Sequence, residues 1–158
     1  MLDRCFLVNH YPLENGKDLL VINTHNEAFD PGQIRKAQMA YLKDFLLSEY
    51  QKGNYIIAGG DWNQSPPGFK PGFTGHPVNT GQMMMDSDYL PAEWKWIYDN
   101  TIPSNRTVIA AYDPATTTTT VIDFFLLSPN IESVSVDCID LNFENSDHNP
   151  VRLKVRLK

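Results

Sequence analysis

The apolar positions along this chain follow two different periods, and each period predicts a different element. Residues 5–11, 19–25 and 55–58 are short runs rich in β-branched and aromatic side chains, which favours strands. Asn15-Gly16 lies between the first two runs, and this dipeptide is a strong signal for a tight hairpin turn. We therefore expect the first two strands to be antiparallel neighbours.

Residues 32–51 have a helical period. Apolar side chains recur there at three- and four-residue steps and define one predicted face: Ile34, Ala37, Tyr41, Phe45 and Leu46. Gly53 is a suitable helix stop, because glycine readily adopts the left-handed conformation that ends many helices. The helix would connect the strands at 19–25 and 55–58, and such crossovers normally join strands of the same sheet and cover one of its faces.

The second half of the chain predicts a long loop followed by more strands. Residues 64–100 are rich in Pro, Gly and Met without a sustained period, which indicates a loop with a short helical turn at 92–97. Four later runs have strand character, at 105–112, 121–128, 134–139 and 151–157.

Length and charge narrow the class of protein. A chain of 158 residues is long enough for one domain with a substantial core. We expect no signal peptide or membrane-spanning segment in it. The net charge of -6 disfavours binding to duplex DNA by bulk electrostatics, unless a metal ion supplies local positive charge. Cys5 and Cys138 are predicted to be buried free thiols, and a disulfide between them remains the alternative.

Polar side chains that could carry chemistry follow the third predicted strand. Gly59 and Gly60 precede Asp61, and Asn63 stands two positions further on. If the strand continues through both polar residues, its alternation places their side chains on the same face. The alternative is an Asx turn, which is the more common role of an isolated Asp-x-Asn.

Three more polar sites are associated with strands. Asn23 and His25 end the second strand, Asp123 lies inside an apolar run, and Asp147-His148 precedes the last strand. Each has an ordinary structural interpretation, as a partly buried histidine, a hydrogen-bonding carboxylate or a turn. A carboxylate in the run Ile-Asp-Phe would be costly without a partner, so we expect an imidazolium or a metal beside Asp123.

Taken in order, four motifs resemble the later motifs of the endonuclease/exonuclease/phosphatase superfamily. This group includes deoxyribonucleases, apurinic endonucleases, sphingomyelinases and inositol-polyphosphate phosphatases. The motifs are Asn23-Thr24-His25, Gly60-Asp61-Trp62-Asn63, the segment 122–128 and the segment 146–151. The resemblance implies an α+β fold, a β-sandwich flanked by helices in four α/β/β/α layers, with residues 1–158 forming one domain of this type.

The resemblance also implies hydrolysis of phosphate esters, in which a water molecule is aimed at phosphorus and the phosphate charge is neutralised. It assigns Asp61 to orienting or deprotonating that water and Asn63 to positioning the water and binding phosphoryl oxygens. His25 would donate a hydrogen bond to a phosphate oxygen. The substrate could be a nucleic acid, a phospholipid or a small phosphate ester.

The remaining implied roles concern the scissile phosphate and a metal ion. His148 would contact the phosphate and exchange protons, held in place by Asp123. Asp147 and Asp61 would bind the cofactor, Mg²⁺ or Mn²⁺, because hard oxygen ligands suit these ions.

One departure from the superfamily pattern concerns an early Asn and a metal-binding Glu, since neither Glu14 nor Glu27 has a fitting position. We therefore expect an incomplete half of the sandwich that lacks the N-terminal strands, with impaired activity. Such a half could form a homodimer or associate with the missing N-terminal half. Two alternatives stay open: a non-catalytic binding or assembly module that keeps the fold, and an unrelated β-sandwich with structural Asp and His residues.

Overall fold

The computed structural model describes residues 4–28, 32–70 and 84–158. Within these ranges the chain forms one helix and nine strands, which confirms the predicted α+β class. In chain order the elements are β1 (Phe6–Pro12), β2 (Asp18–His25), α1 (Gln33–Gln51), β3 (Tyr55–Asp61), β4 (Lys95–Ile97), β5 (Asn105–Arg106), β6 (Thr119–Thr120), β7 (Asp123–Leu127), β8 (Ile131–Cys138) and β9 (Val151–Leu157).

The largest sheet has the strand order β1-β2-β3-β7-β4. Strands β1 and β2 form the predicted antiparallel hairpin, whose turn contains Gly16 at a φ of 74°. Strands β2 and β3 are parallel and are joined by α1, as the strand–helix–strand prediction requires. Strand β7 then pairs antiparallel with β3. The centre of the sheet is therefore built from the segments that carry three of the four polar motifs.

Other elements pack against both faces of the central strands of the sheet. Helix α1 packs on one face through Met39, Leu42 and Leu46, which join the main core cluster with Leu20 and Ile56. The β8–β9 hairpin lies on the other face. There, apolar side chains at every second position of β9 pack against the sheet residues whose side chains point away from α1. The residues of this second cluster include Ile57, Leu127, Ile131, Leu153, Val155 and Leu157. The described chain thus has three layers, a helix, a sheet and a hairpin.

The buried face of α1 differs from the predicted one. Ile34 is 42% exposed and Tyr41 is 69% exposed. Of the five α1 residues that are buried, only Leu46 belongs to the predicted face. The buried positions are Arg35, Met39, Leu42, Leu46 and Glu49. Met39 and Leu42 are apolar but lie outside the predicted face. The other two missed positions are charged and are buried with partners, since Arg35 Nε donates to the Glu27 carbonyl and the Glu49 carboxylate accepts from Lys52 and Asn54. The helix ends at Gln51, and Gly53 follows with a φ of 87°, as predicted.

Several loop and strand predictions need correction. Residues 92–97 do not form a helical turn, because the segment ends in strand β4, where Trp96 packs edge-on against Trp62 and Phe124. The predicted strand at 105–112 is reduced to two residues, and the strand at 121–128 begins only at Asp123. Strand β8 begins three residues before the predicted position 134. Part of the predicted long loop, residues 71–83, lies outside the described residues.

Both cysteines are free thiols, so the disulfide alternative is wrong. Cys138 is buried as predicted, whereas Cys5 is exposed, because it lies just before the outer strand β1. In the described part of the chain, no helix combines the length and the apolar character that a membrane crossing requires.

Candidate active site

Three predicted site residues lie side by side at one edge of the main sheet. The register pairs His25 at the end of β2 with Asp61 at the end of β3, and it pairs Asp61 with Asp123 at the start of β7. His25 Nε2 is 3.4 Å from Asp61 Oδ2. These side chains meet because two parallel strands end where an antiparallel strand begins.

His148 completes this group from the segment that precedes β9. Its Nδ1 lies 2.8 Å from Asp123 Oδ2, so Asp123 has the imidazole partner expected for a carboxylate in an apolar run. Its Nε2 lies 3.9 Å from Asp61 Oδ2 and 4.0 Å from Asp147 Oδ2. The structure therefore brings five of the six predicted site residues to one rim of the sheet.

The position of Asn63 differs from the prediction. Strand β3 ends at Asp61, and Asn63 has a left-handed φ of 50°, so strand alternation does not direct its side chain. The Asn63 amide N–H donates to Asp61 Oδ1 over 2.8 Å, and its side chain donates to the Asn26 carbonyl over 2.8 Å. The Asx turn is thus present, and it orients the Asp61 carboxylate beside His148.

The surroundings of His148 and Asp61 raise the pKa values of both groups. The hydrogen bond with Asp123 raises the pKa of His148, supported by the negative charges of Asp123, Asp61 and Asp147, while burial opposes this shift. For Asp61, by contrast, burial is the main effect that raises the pKa. The Asn63 hydrogen bond and the two nearby histidines partly counteract this rise. The Asp61 carboxylate is therefore a better proton acceptor than an exposed one.

Gly60 allows strand β3 to approach β2 closely at this edge. Its φ is 138°, and a Cβ atom at this position would lie 2.0 Å from the Thr24 carbonyl oxygen. Trp62, which follows Asp61, is fully buried, and its indole N–H donates to the Phe124 carbonyl over 3.0 Å. The two residues next to Asp61 thus fix its backbone position.

Ser104 and Asn105 also contact the site, although neither was predicted as a site residue. Ser104 Oγ donates to Asp123 Oδ2 over 2.8 Å, and Asn105 Nδ2 lies 3.0 Å from His148 Nε2. Asn105 is the first residue of the segment that was predicted as a regular strand, and Ser104 directly precedes it. No periodicity or spacing marks them, because their role depends on the pairing of β5 with distant parts of the chain.

Two cavities border the candidate site. The larger, of about 470 Å³, lies on the hairpin side of Asp123 and His148 and is lined by Asn23, Phe125 and Leu141. The other, of about 350 Å³, lies beside His25 and is lined by Phe6 and Tyr41 among other residues. Both volumes are in the range of small-molecule sites.

The described residues do not complete the predicted metal site. Asp61 and Asp147 each present a carboxylate oxygen about 4 Å from His148 Nε2, and carboxylates are suitable ligands for Mg²⁺. However, no group of three His, Cys, Asp or Glu side chains within residues 4–28, 32–70 and 84–158 is arranged to hold a metal ion. We therefore assign no chemical step to a metal.

Comparisons with known proteins give a consistent result for the fold. No protein-family model and no curated protein sequence matches significantly. Solved structures do match. Mannosyl-6-phosphatase Bt3783 of Bacteroides thetaiotaomicron has a TM-score of 0.62 at 17% identity, over 99% of this chain and 58% of that chain. The human Nocturnin catalytic domain has a TM-score of 0.62 at 17% identity, over 99% and 54%. ANGEL2, a 2',3'-cyclic phosphatase, has a TM-score of 0.63 at 16% identity, over 98% and 62%.

The chain therefore has the fold of the endonuclease/exonuclease/phosphatase proteins, as the resemblance of its motifs predicted. A further match, an endonuclease/exonuclease/phosphatase family protein from Bacteroides thetaiotaomicron, has a TM-score of 0.57 at 19% identity. It is matched over 96% of this chain and 56% of its own length. The chain spans less than two thirds of each of these proteins.

Proposed function

We propose that the chain contains the site of a hydrolase that acts on phosphate esters. The observation that carries this proposal is the convergence of Asp61, His148, Asp123 and His25 at one edge of the sheet. A carboxylate, two imidazoles and a second carboxylate that holds one imidazole supply the groups that phosphate hydrolysis requires.

In the proposed reaction, Asp61 orients the attacking water and accepts its proton, which its raised pKa favours. His148 contacts the scissile phosphate and donates a proton to the leaving oxygen as its bond to phosphorus breaks, since the pKa of His148 is also raised. Asp123 holds the His148 ring through Nδ1. His25 lies next to Asp61 on the exposed side and would donate to a phosphate oxygen.

Asn63 and Asp147 have supporting places in this proposal. The Asn63 backbone N–H fixes the Asp61 carboxylate, so Asn63 would position the water through Asp61. Asp147 stays a predicted ligand of Mg²⁺ or Mn²⁺ together with Asp61, and ligands beyond these two side chains would be required. A bound divalent cation would supply charge neutralisation of the phosphate.

The ester itself belongs to one of two broad classes, a nucleic acid or a phospholipid or small phosphate ester. The net charge of -6 favours the second class, because binding to duplex DNA normally uses a basic surface. Proteins with a similar fold include ones described as a mannosyl-6-phosphatase and a 2',3'-cyclic phosphatase, so small phosphate esters are among the substrates to test.

The test is hydrolysis of a generic phosphodiester and a generic phosphomonoester, each with Mg²⁺, Mn²⁺ or a chelator. We expect Asp61→Ala and His148→Asn to lower the rate by on the order of 10²-fold or more. His10→Asn is a matched control, because His10 also contacts an aspartate, Asp18 at 3.0 Å, but on the hairpin β1–β2. The same assays on a chain extended at its N-terminus test whether added sequence raises the rate. Equal, negligible rates for the extended chain and its Asp61→Ala variant would contradict the proposal and favour a binding module.

We also propose that further polypeptide, from a second copy or from another segment, covers part of the sheet. Leu7 and Tyr11 on β1 are 61% and 52% exposed, although both are large apolar side chains. Light scattering combined with size-exclusion chromatography tests the homodimer directly. A monomer at all concentrations would exclude the second copy and leave another segment as the covering polypeptide.

A further inference from the structure

Strand β5 is only two residues long, but its backbone is bonded on both sides. The Ser104 amide donates to the Thr120 carbonyl over 3.0 Å, which attaches this segment to β6. On the other side, the Asn149 amide donates to the Ser104 carbonyl over 2.8 Å, and the Arg106 amide donates to the Asp147 carbonyl over 3.0 Å. The segment is therefore fixed beside the residues that carry His148.

The side chain of Asn105 reaches His148 from this fixed backbone. Its Nδ2 is 3.0 Å from His148 Nε2 and 3.2 Å from the Asp147 carbonyl oxygen. A carbonyl oxygen only accepts hydrogen bonds, so the atom of Asn105 that faces it must be the NH₂ group and not the amide oxygen. The NH₂ group then also faces Nε2, and it donates to this nitrogen when the ring is neutral.

We propose that Asn105 is a positioning residue that holds the neutral His148 ring with Nδ1–H on Asp123 and Nε2 as the accepting nitrogen. Both ring nitrogens then have a hydrogen-bond partner: the Asp123 carboxylate is 2.8 Å from Nδ1, and the Asn105 amide is 3.0 Å from Nε2. Its bearing on catalysis rests on the proposed function: the neutral ring is the form that remains after His148 has donated its proton, and Nε2 is the atom that faces Asp61.

The alternative is that Asn105 only satisfies the Asp147 carbonyl and has no effect on the ring. The Arg106 amide already donates to the same carbonyl, so this need is met without the Asn105 side chain. With Asn105 removed, Asp123 would be the remaining hydrogen-bond partner of the ring among the described residues, and Nε2 could shift. A displacement of about 1 Å at a reacting group can cost on the order of 10²-fold in rate.

The test that does not depend on activity is ¹⁵N NMR of the full chain with labelled histidine, at a pH where the His148 ring is neutral. We expect Nδ1 to carry the proton and Nε2 to resonate as a hydrogen-bonded acceptor. Asn105→Ala should move the Nε2 resonance downfield, towards that of a free ring nitrogen. Asn105→Asp keeps the shape but replaces the donor, and it should draw a proton onto Nε2. The Trp62 indole resonance reports that each variant is folded, since this group is buried and bonded to Phe124.

An Nε2–H tautomer in the unchanged protein would overturn the proposal on its own, whether or not the variants fold. An Nε2 resonance that is unchanged in both Asn105 variants would also overturn it. In the hydrolysis assay, Asn105→Ala should lower kcat by on the order of 10²-fold with little change in KM. Asn9→Ala, on the outer strand β1, is the matched control and should leave kcat unchanged. If the N-terminally extended chain proves as inactive as its Asp61→Ala variant, the proposed function fails while the NMR result still decides the role of Asn105.

Discussion

The substitution Ser104→Ala tests the connection between fold and site most directly. Ser104 is only 1% exposed, and its hydroxyl makes three hydrogen bonds. It donates to Asp123 Oδ2 over 2.8 Å and accepts from the backbone N–H groups of Ile122 at 3.1 Å and Asp123 at 3.0 Å. One hydroxyl therefore anchors both the start of β7 and the carboxylate that holds His148.

The expected loss follows from the groups that alanine leaves without a partner. A buried N–H group without an acceptor costs about 1–3 kcal/mol, and a hydrogen bond to a charged group is worth about 1.5–3 kcal/mol. The Asp123 carboxylate keeps its contact with His148, and water entering the small void offsets part of the loss. We therefore expect Ser104→Ala to lower the free energy of unfolding by about 3 kcal/mol. This is a large fraction of the roughly 5–15 kcal/mol that stabilises a typical domain.

The measurement is urea denaturation followed by the fluorescence of the three tryptophans. Ser135→Ala is the matched control, because Ser135 is an exposed serine on β8, and we expect its effect to stay within about 0.5 kcal/mol. A loss below about 1 kcal/mol for Ser104→Ala would refute the reasoning, since it would mean that the three hydrogen bonds contribute almost nothing net.

Two further substitutions test the edge of the sheet. Gly60→Ala would place a Cβ atom 2.0 Å from the Thr24 carbonyl oxygen, so we expect a loss on the order of 4 kcal/mol or no folded protein. Gly16→Ala, where φ is 74° but the space is open, should cost only about 1–2 kcal/mol in the same denaturation assay. Asp123→Asn removes the carboxylate that raises the pKa of His148. A raised folded-state pKa stabilises the protein fully below the unfolded value of about 6.5, and this stabilisation is lost as the pH rises through the folded value. The difference in unfolding free energy between the unchanged protein and Asp123→Asn should therefore shrink from acidic to alkaline pH. A difference that grows with pH would contradict this assignment.

The parts of the fold that the sequence predicted well are those with local signals. The Asn15-Gly16 turn directs the β1–β2 hairpin, and the helical period of 32–51 directs the crossover to β3. Once these connections exist, the parallel register of β2 and β3 places His25 next to Asp61. The cost of burying Asp123 predicted an imidazolium or a metal beside it, but that the partner is His148 was expected only through the resemblance of the motifs, because they are 25 positions apart and strand β8 lies between them.

Several of the errors share a physical cause, which is polar side chains that find their partners through tertiary structure. Arg35 is buried on the helix face because its Nε reaches the Glu27 carbonyl, which no helical period reveals. Asn63 leaves the strand because its own N–H turns back to Asp61. Asn105 acquires its contact with His148 from a two-residue strand, which is too short to show any alternation. A motif search finds the groups that carry out chemistry, but the groups that orient them are visible only once the backbone pairing is known.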